Sequence, residues 1–98
     1  MLKNKIVLIT GASRGIGKET GLLFSREQAN VIVTYNKDRK AGDKVFEECR
    51  TLGSQDPLLL KLDVRSNSDI KNAAKVVREK YGHVDILINN AGVISWEN

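Results

Sequence analysis

One cysteine, one proline and one histidine are all that this chain of 98 residues holds of those types, and only 5% of it is aromatic. A single thiol excludes an intrachain disulfide, and with a single imidazole it leaves no Cys/His spacing for a structural metal. No metal ligand set is therefore assigned. Cys49 falls at helical spacing with Val45 and Leu52, the pattern of a buried structural thiol. No run of about 18 apolar residues is present to cross a bilayer, so no membrane partner is expected. The first residues lack the charged start, long apolar run and small-residue cleavage site of a secretory signal, and a cytoplasmic location is the expectation. An excess of one charge is also missing: 16 basic residues face 12 acidic ones, for a formal net charge of +4. The basic residues are interspersed with acids and form no single basic face with aromatic partners, so no nucleic-acid partner is expected. No linker, internal repeat or low-complexity segment interrupts the chain, and residues 1–98 read as one small domain.

What is present is a glycine-rich turn in a telling place. Thr10-Gly11-Ala12-Ser13-Arg14-Gly15-Ile16-Gly17 follows the apolar run Ile6-Val7-Leu8-Ile9 and opens into a helical pattern. A strand, a glycine turn and a helix in succession present backbone N–H groups and a helix N-terminus to a phosphate. Gly11 permits the tight turn, Gly15 lets the backbone approach a pyrophosphate, and Gly17 lets the helix pack close to the strand. The Walker-type phosphate loop is excluded, because Gly17-Lys18 is followed by Glu19 and not by serine or threonine.

Strand and helix signals then alternate to the end of the chain. Residues 5–10 read as a strand covered on both faces. Ile16, Thr20, Leu23 and Phe24 repeat at helical spacing between Gly15 and about Glu27, and Asn30–Tyr35 is rich in β-branched residues. A helix is expected from Asp38 to Leu52 with Val45, Cys49 and Leu52 inward and Gly53 as its stop. Leu58–Leu62 is a third strand. Ser66, three residues before Asp69, offers a cap to a helix that buries Ile70, Ala73, Ala74, Val77 and Tyr81 and ends at Gly82. Asp85–Asn89 is the fourth strand. Such alternation predicts an α/β doubly wound, Rossmann-like parallel sheet in the order 3-2-1-4 with helices on both faces. Its switch point lies between the first and fourth strands, where ligands bind at the strands' carboxyl ends.

Three features now stand in register: the glycine turn, Leu62-Asp63-Val64, and Asn89-Asn90-Ala91-Gly92. Together they resemble the short-chain dehydrogenase/reductase family, in particular its ketoacyl-reductase-like members, over the whole chain. The resemblance implies that Gly11, Ser13, Arg14, Gly15, Ile16 and Gly17 hold the phosphates and adenosine ribose of a dinucleotide cofactor. It implies that Asp63 accepts the adenine amino group with Val64 beside it. Asn90, Ala91 and Gly92 would line the pocket near the cofactor's ribose, with Asn89 holding the central strand. An acid at the end of the second strand would bond a 2′-hydroxyl and repel a 2′-phosphate. The matching position is read as Tyr35, followed by Asn36 and Lys37, and no acid occurs before Asp38. With Arg14 in the glycine turn, and Lys37 or Arg39 nearby, NADP(H) is expected over NAD(H).

In this family a tyrosine acts as general acid, a lysine four residues later lowers its pKa, and a serine and an asparagine complete the site. Those residues would lie beyond this sequence. Tyr35 is followed four positions on by Arg39, and Tyr81 by Asp85; Ser95 comes too early, and His83 reads as a turn residue. No catalytic residue is assigned, and the chain by itself is expected to be inactive. A small-molecule carbonyl or alcohol substrate would require the missing carboxyl-terminal half. Two other readings stay open: a stand-alone NADP(H)-binding module, and a non-catalytic interaction domain that would tolerate Gly15→Val. The fourth strand should form an exposed edge, through which self-association or dependence on a complementary fragment is expected. Gln28 stands where relatives usually have glycine after the first helix, and a left-handed cap there would cost more.

Overall fold

The structure, a computed structural model, describes residues 1–90. Four strands, β1 (Ile6–Ile9), β2 (Asn30–Tyr35), β3 (Leu58–Lys61) and β4 (Ile86–Ile88), alternate with three helices, α1 (Gly15–Arg26), α2 (Arg39–Leu52) and α3 (Asn67–Tyr81). The strands form one parallel sheet in the order β3-β2-β1-β4, as the alternation predicts. The register places Leu8 opposite Ile32 on one side and Leu87 on the other.

The continuous apolar runs of β1 and β2 have a physical reason: both strands are central and covered on both faces. Val7, Ile9, Val31 and Val33 pack into one core with Leu22, Val45 and Cys49 of α1 and α2. Ile6, Leu8 and Ile32 turn to the opposite core, with Ala73 and Val77 of α3. Asp38 and Ser66 cap α2 and α3 by accepting the N–H groups of Ala41 and Asp69. Gly82, in the left-handed region at φ 83°, closes α3.

The face of α1 differs from the sequence expectation. Ile16 and Leu23 are 78% and 59% exposed, and the buried face is Gly17, Gly21, Leu22 and Ser25. Apart from Leu22, this face carries only small groups, and there is a steric reason. A methyl group at position 21 would already touch the Ile9 side chain at 3.5 Å, so α1 lies with its backbone near the sheet. Ile9 and Val31 supply bulk from the sheet, and Phe24 packs half-buried against the same core in keeping with its spacing, while Ile16 and Leu23 of the helix are turned outward. Leu52, expected inward, is 37% exposed in the last position of α2, whereas Val45 and Cys49 are buried as expected. Burial pushes the Cys49 thiol pKa upward, which suits an inert packing group.

A buried hydroxyl pair ties the far ends of these elements together. Ser54 Oγ donates to the Ala29 carbonyl and accepts the Val31 N–H at 3.2 Å, with Ser25 Oγ 3.1 Å away. Next to Ala29 in the chain, Gln28 adopts φ 68°, the left-handed conformation that a glycine would take without strain. Its carbonyl accepts the Asn4 N–H at 3.0 Å, so backbone bonding holds this turn. Gln28→Gly is therefore expected to stabilise the fold by about 0.5–1 kcal/mol, measured as a higher midpoint in urea unfolding.

Candidate nucleotide-binding site

The glycine turn leaves β1 at Thr10 and reverses at Gly11, whose φ is 63°. Two bonds from the end of β2 hold it. Thr34 Oγ1 accepts the Gly11 N–H at 3.1 Å, and the Thr34 carbonyl accepts the Ala12 N–H at 3.0 Å. The Thr34 hydroxyl in turn donates to the Ile9 carbonyl at 2.7 Å, so its one proton and a lone pair are both used while it is fully buried. By sequence pattern Thr34 is an ordinary β-branched strand residue, and no role at the site is expected of it. The available signal was a small hydroxyl residue directly after the apolar run Val31-Ile32-Val33 of a central strand.

Gly15 and Gly17 prove to serve different needs. Gly15 has φ 60°, and a Cβ there would meet nothing within 4 Å, so its backbone faces open space. A Cβ at Gly17 would sit 2.2 Å from the Gly11 carbonyl oxygen and 2.7 Å from Asn90 Nδ2. The close approach at Gly17 is thus to the turn itself; the contact with the strand that the sequence suggested belongs to Gly21. Ser13 is half-buried, and Arg14 and Ile16 are exposed beside the turn. Arg14 precedes α1 in an extended conformation and gives no side-chain cap, and the first turn of α1 carries no acid. Among the described residues no side chain caps this helix end, unlike those of α2 and α3, so its N–H groups suit an outside acceptor.

The segment after β4 closes the same corner. Asn90 Nδ2 donates to the Gly11 carbonyl at 3.2 Å, and the Asn90 N–H goes to Thr10 Oγ1 at 2.9 Å. Thr10 Oγ1 also lies 3.4 Å from Asn89 Oδ1. Asn90 braces the glycine turn, and Asn89 ties the end of β4 to the end of β1. Ala91 and Gly92 lie outside the described residues.

At the end of β2 the Tyr35 side chain is buried under α2, against Gly42, with its hydroxyl 3.5 Å from Arg39 Nη1. Asn36 and Lys37 are the first exposed side chains after the strand. The first acid, Asp38, is engaged as the α2 cap. Beyond β3, the Leu62 N–H bonds the Tyr35 carbonyl at 2.8 Å and brings Asp63 to the same end of the sheet. Asp63 Oδ1 accepts the Arg65 N–H at 2.9 Å, and the Arg65 guanidinium contacts both carboxylate oxygens at 3.3 and 3.4 Å. The backbone N–H and then the guanidinium hold the Asp63 carboxyl below its ordinary pKa. The Val64 side chain is half-buried and packs against the α3-side core.

All these groups gather at the carboxyl ends of parallel strands, where the order reverses between β1 and β4. That is the ligand crevice of a doubly wound dinucleotide-type fold. Among the described residues no cluster of His, Cys, Asp and Glu could hold a metal ion, and no helix is long and apolar enough to cross a membrane.

Residues 5–98 match the family model of the short chain dehydrogenases, and the chain belongs to that family of NAD(P)-binding oxidoreductases. Over 93 residues it is 42% identical to the 3-oxoacyl-[acyl-carrier-protein] reductase FabG of Thermotoga maritima, covering 94% of this chain and 37% of that protein. It is 34% identical over 92 residues to an 11-beta-hydroxysteroid dehydrogenase of Pinus massoniana, covering 94% of this chain and 26% of that one. Among solved structures, a hydroxysteroid dehydrogenase from Escherichia coli superposes with a TM-score of 0.83 at 36% identity, covering 94% of this chain and 38% of the other. A short-chain dehydrogenase/reductase variant from Serratia marcescens gives 0.84 at 32% identity, covering 94% and 37%. The chain thus spans well under half the length of these relatives.

Proposed function

We propose that this chain is the NADP(H)-gripping part of an oxidoreductase that moves hydride between the nicotinamide and a carbonyl or alcohol carbon. The observation that supports this most directly is the open backbone at Gly15 next to the uncapped start of α1, at the switch point of the sheet. The residues fit a dinucleotide. Gly11, Ser13, Gly15, Ile16 and Gly17 would cradle the pyrophosphate, Asp63 and the Val64 backbone the adenine, and Asn90, Ala91 and Gly92 the nicotinamide-side ribose. Arg14, Asn36 and Lys37 would face the 2′-phosphate, with Tyr35 holding the base of that corner. The bound nicotinamide would supply the hydride; the chain's own groups would bind and orient it.

No Tyr-x-x-x-Lys occurs in the 98 residues, so the chain alone is expected to bind without turnover. Titration with NADPH and NADH, followed by nucleotide fluorescence, tests this. Saturable binding that favours NADPH supports the reading, and a folded chain indifferent to both nucleotides overturns it.

The assembly is a second proposal. β4 pairs with β1 alone among the described strands, and its three residues are only half-buried. An exposed edge carrying Ile86, Leu87 and Ile88 favours strand pairing with a second copy. Sedimentation equilibrium is expected to show a mass that rises with concentration, lowered by Leu87→Lys. A monomer at all concentrations overturns it.

A further inference from the structure

Asp69 does something that a helix-capping acid does not usually do. At the third position of α3, such an acid normally reaches back to the N–H of the capping residue. Here the Ser66 N–H is already bonded to the Asp63 carbonyl at 2.9 Å. Asp69 Oδ2 reaches further, accepting the Asp63 N–H at 2.9 Å and the Lys61 ammonium at 2.9 Å. One carboxylate oxygen thereby joins the end of β3, the turn after it and the start of α3. The Lys61 ammonium and the Asp63 N–H together hold the Asp69 carboxyl below its ordinary pKa, as expected of an acid kept ionised for this bond.

The consequence falls on Asp63. Its N–H is held by Asp69, its carbonyl by the Ser66 N–H, and its Oδ1 by the Arg65 N–H. A carboxylate offers about four acceptor positions. The Arg65 contacts use Oδ1 twice and Oδ2 once, which leaves Oδ2 able to take one more donor. We infer that Asp69 is a positioning residue for base recognition: through the Asp63 backbone it fixes the carboxylate that reads the exocyclic amine of the nucleotide's purine. This rests on the proposed reading of Asp63 as the adenine acceptor.

The test compares NADPH with its hypoxanthine analogue, which lacks that amine, on the full chain. The wild type is expected to bind NADPH about tenfold more tightly than the analogue, the effect of one hydrogen bond to a charged acceptor. Asp69→Ala should bring the ratio of dissociation constants close to one while leaving the analogue's own affinity unchanged. Asp69→Asn, which keeps an oxygen for the Asp63 N–H, should restore most of the preference. An Asp69→Ala chain that retains the full preference, or that loses both nucleotides in parallel, overturns the positioning role. A wild-type chain without preference, or without binding, overturns the Asp63 reading and the inference with it. Amide exchange in the nucleotide-free wild type gives a check that needs no variant to fold. The Asp63 N–H should be protected, and free exchange there would also overturn the role.

Discussion

Gly15→Val is expected to leave the chain folded and to remove nucleotide binding, while Gly17→Ala is expected to unsettle the fold itself. The two glycines are two residues apart, yet the space around them differs. At Gly15, apart from its own chain neighbours and helix backbone, no atom of the described residues lies within 4 Å of the place a Cβ would take, so a side chain costs mainly the strain of φ 60°, about 1–2 kcal/mol. That side chain would occupy the space a pyrophosphate needs, and affinity should fall by more than about a hundredfold, since both contact and helix-end attraction are lost. At Gly17 the smallest side chain puts carbon 2.2 Å from the Gly11 carbonyl oxygen, a contact that only a backbone shift can relieve. Overpacking of that kind costs about 1–3 kcal/mol, or about 4–24 °C in the thermal midpoint of a domain this size. Thermal unfolding and NADPH titration of both variants check the pair together. Undiminished binding by Gly15→Val would count against the proposed site.

Arg14→Ala is expected to weaken NADPH binding by about tenfold or more and to leave NADH binding unchanged. A charge-assisted bond from arginine to a phosphate is worth about 1.5–3 kcal/mol, and only NADPH carries the 2′-phosphate. Arg14 is exposed beside the turn, and Lys37 is exposed after β2, so added salt should weaken NADPH more than NADH. The complementary variant is Asn36→Asp. Tyr35 is buried beneath Gly42, and Asp38 is engaged as a cap, so position 36 is where a new acid would stand free at the strand end. It is expected to reverse the preference toward NADH by repelling the phosphate and accepting the 2′-hydroxyl. Equal affinities for the two nucleotides in the wild type, or an Arg14→Ala chain that loses both alike, would count against NADP(H) selection.

Much of the architecture was legible because it depends on local pattern. The apolar runs at β1 and β2, the caps at Asp38 and Ser66, and the stop at Gly82 are short-range signals, and the elements begin and end within a residue or so of where those signals stand. Alternation of strands and helices then leaves few parallel topologies, and the order 3-2-1-4 is the one adopted. Gln28 was marked by the family resemblance instead, as standing where relatives usually have glycine, and it does adopt the left-handed conformation.

Which face of α1 is buried could not be read from pattern. Periodicity assigns large apolar residues to the interior, and Ile16 and Leu23 are exposed because the helix approaches the sheet on Gly17, Gly21 and Ser25. Only the separation of helix and sheet decides whether small or large side chains fit between them. The same holds for the site. The glycine spacing could be picked out in the chain because backbone conformation limits what those positions can be, whereas Asp63 and Asn90 were singled out only by the family resemblance. Thr34 bonding Gly11, Asn90 bracing that turn, and Asp69 reaching Asp63 join residues on different elements. The first two exist because parallel strands bring their carboxyl ends to one edge of the sheet, and the third because the turn after β3 folds back on the start of α3. Residue order alone was enough to set the elements, their succession and the residue types at the turns. Which backbone is open to a ligand and which is closed by its neighbours was settled only on folding, because it depends on distances between segments far apart along the chain.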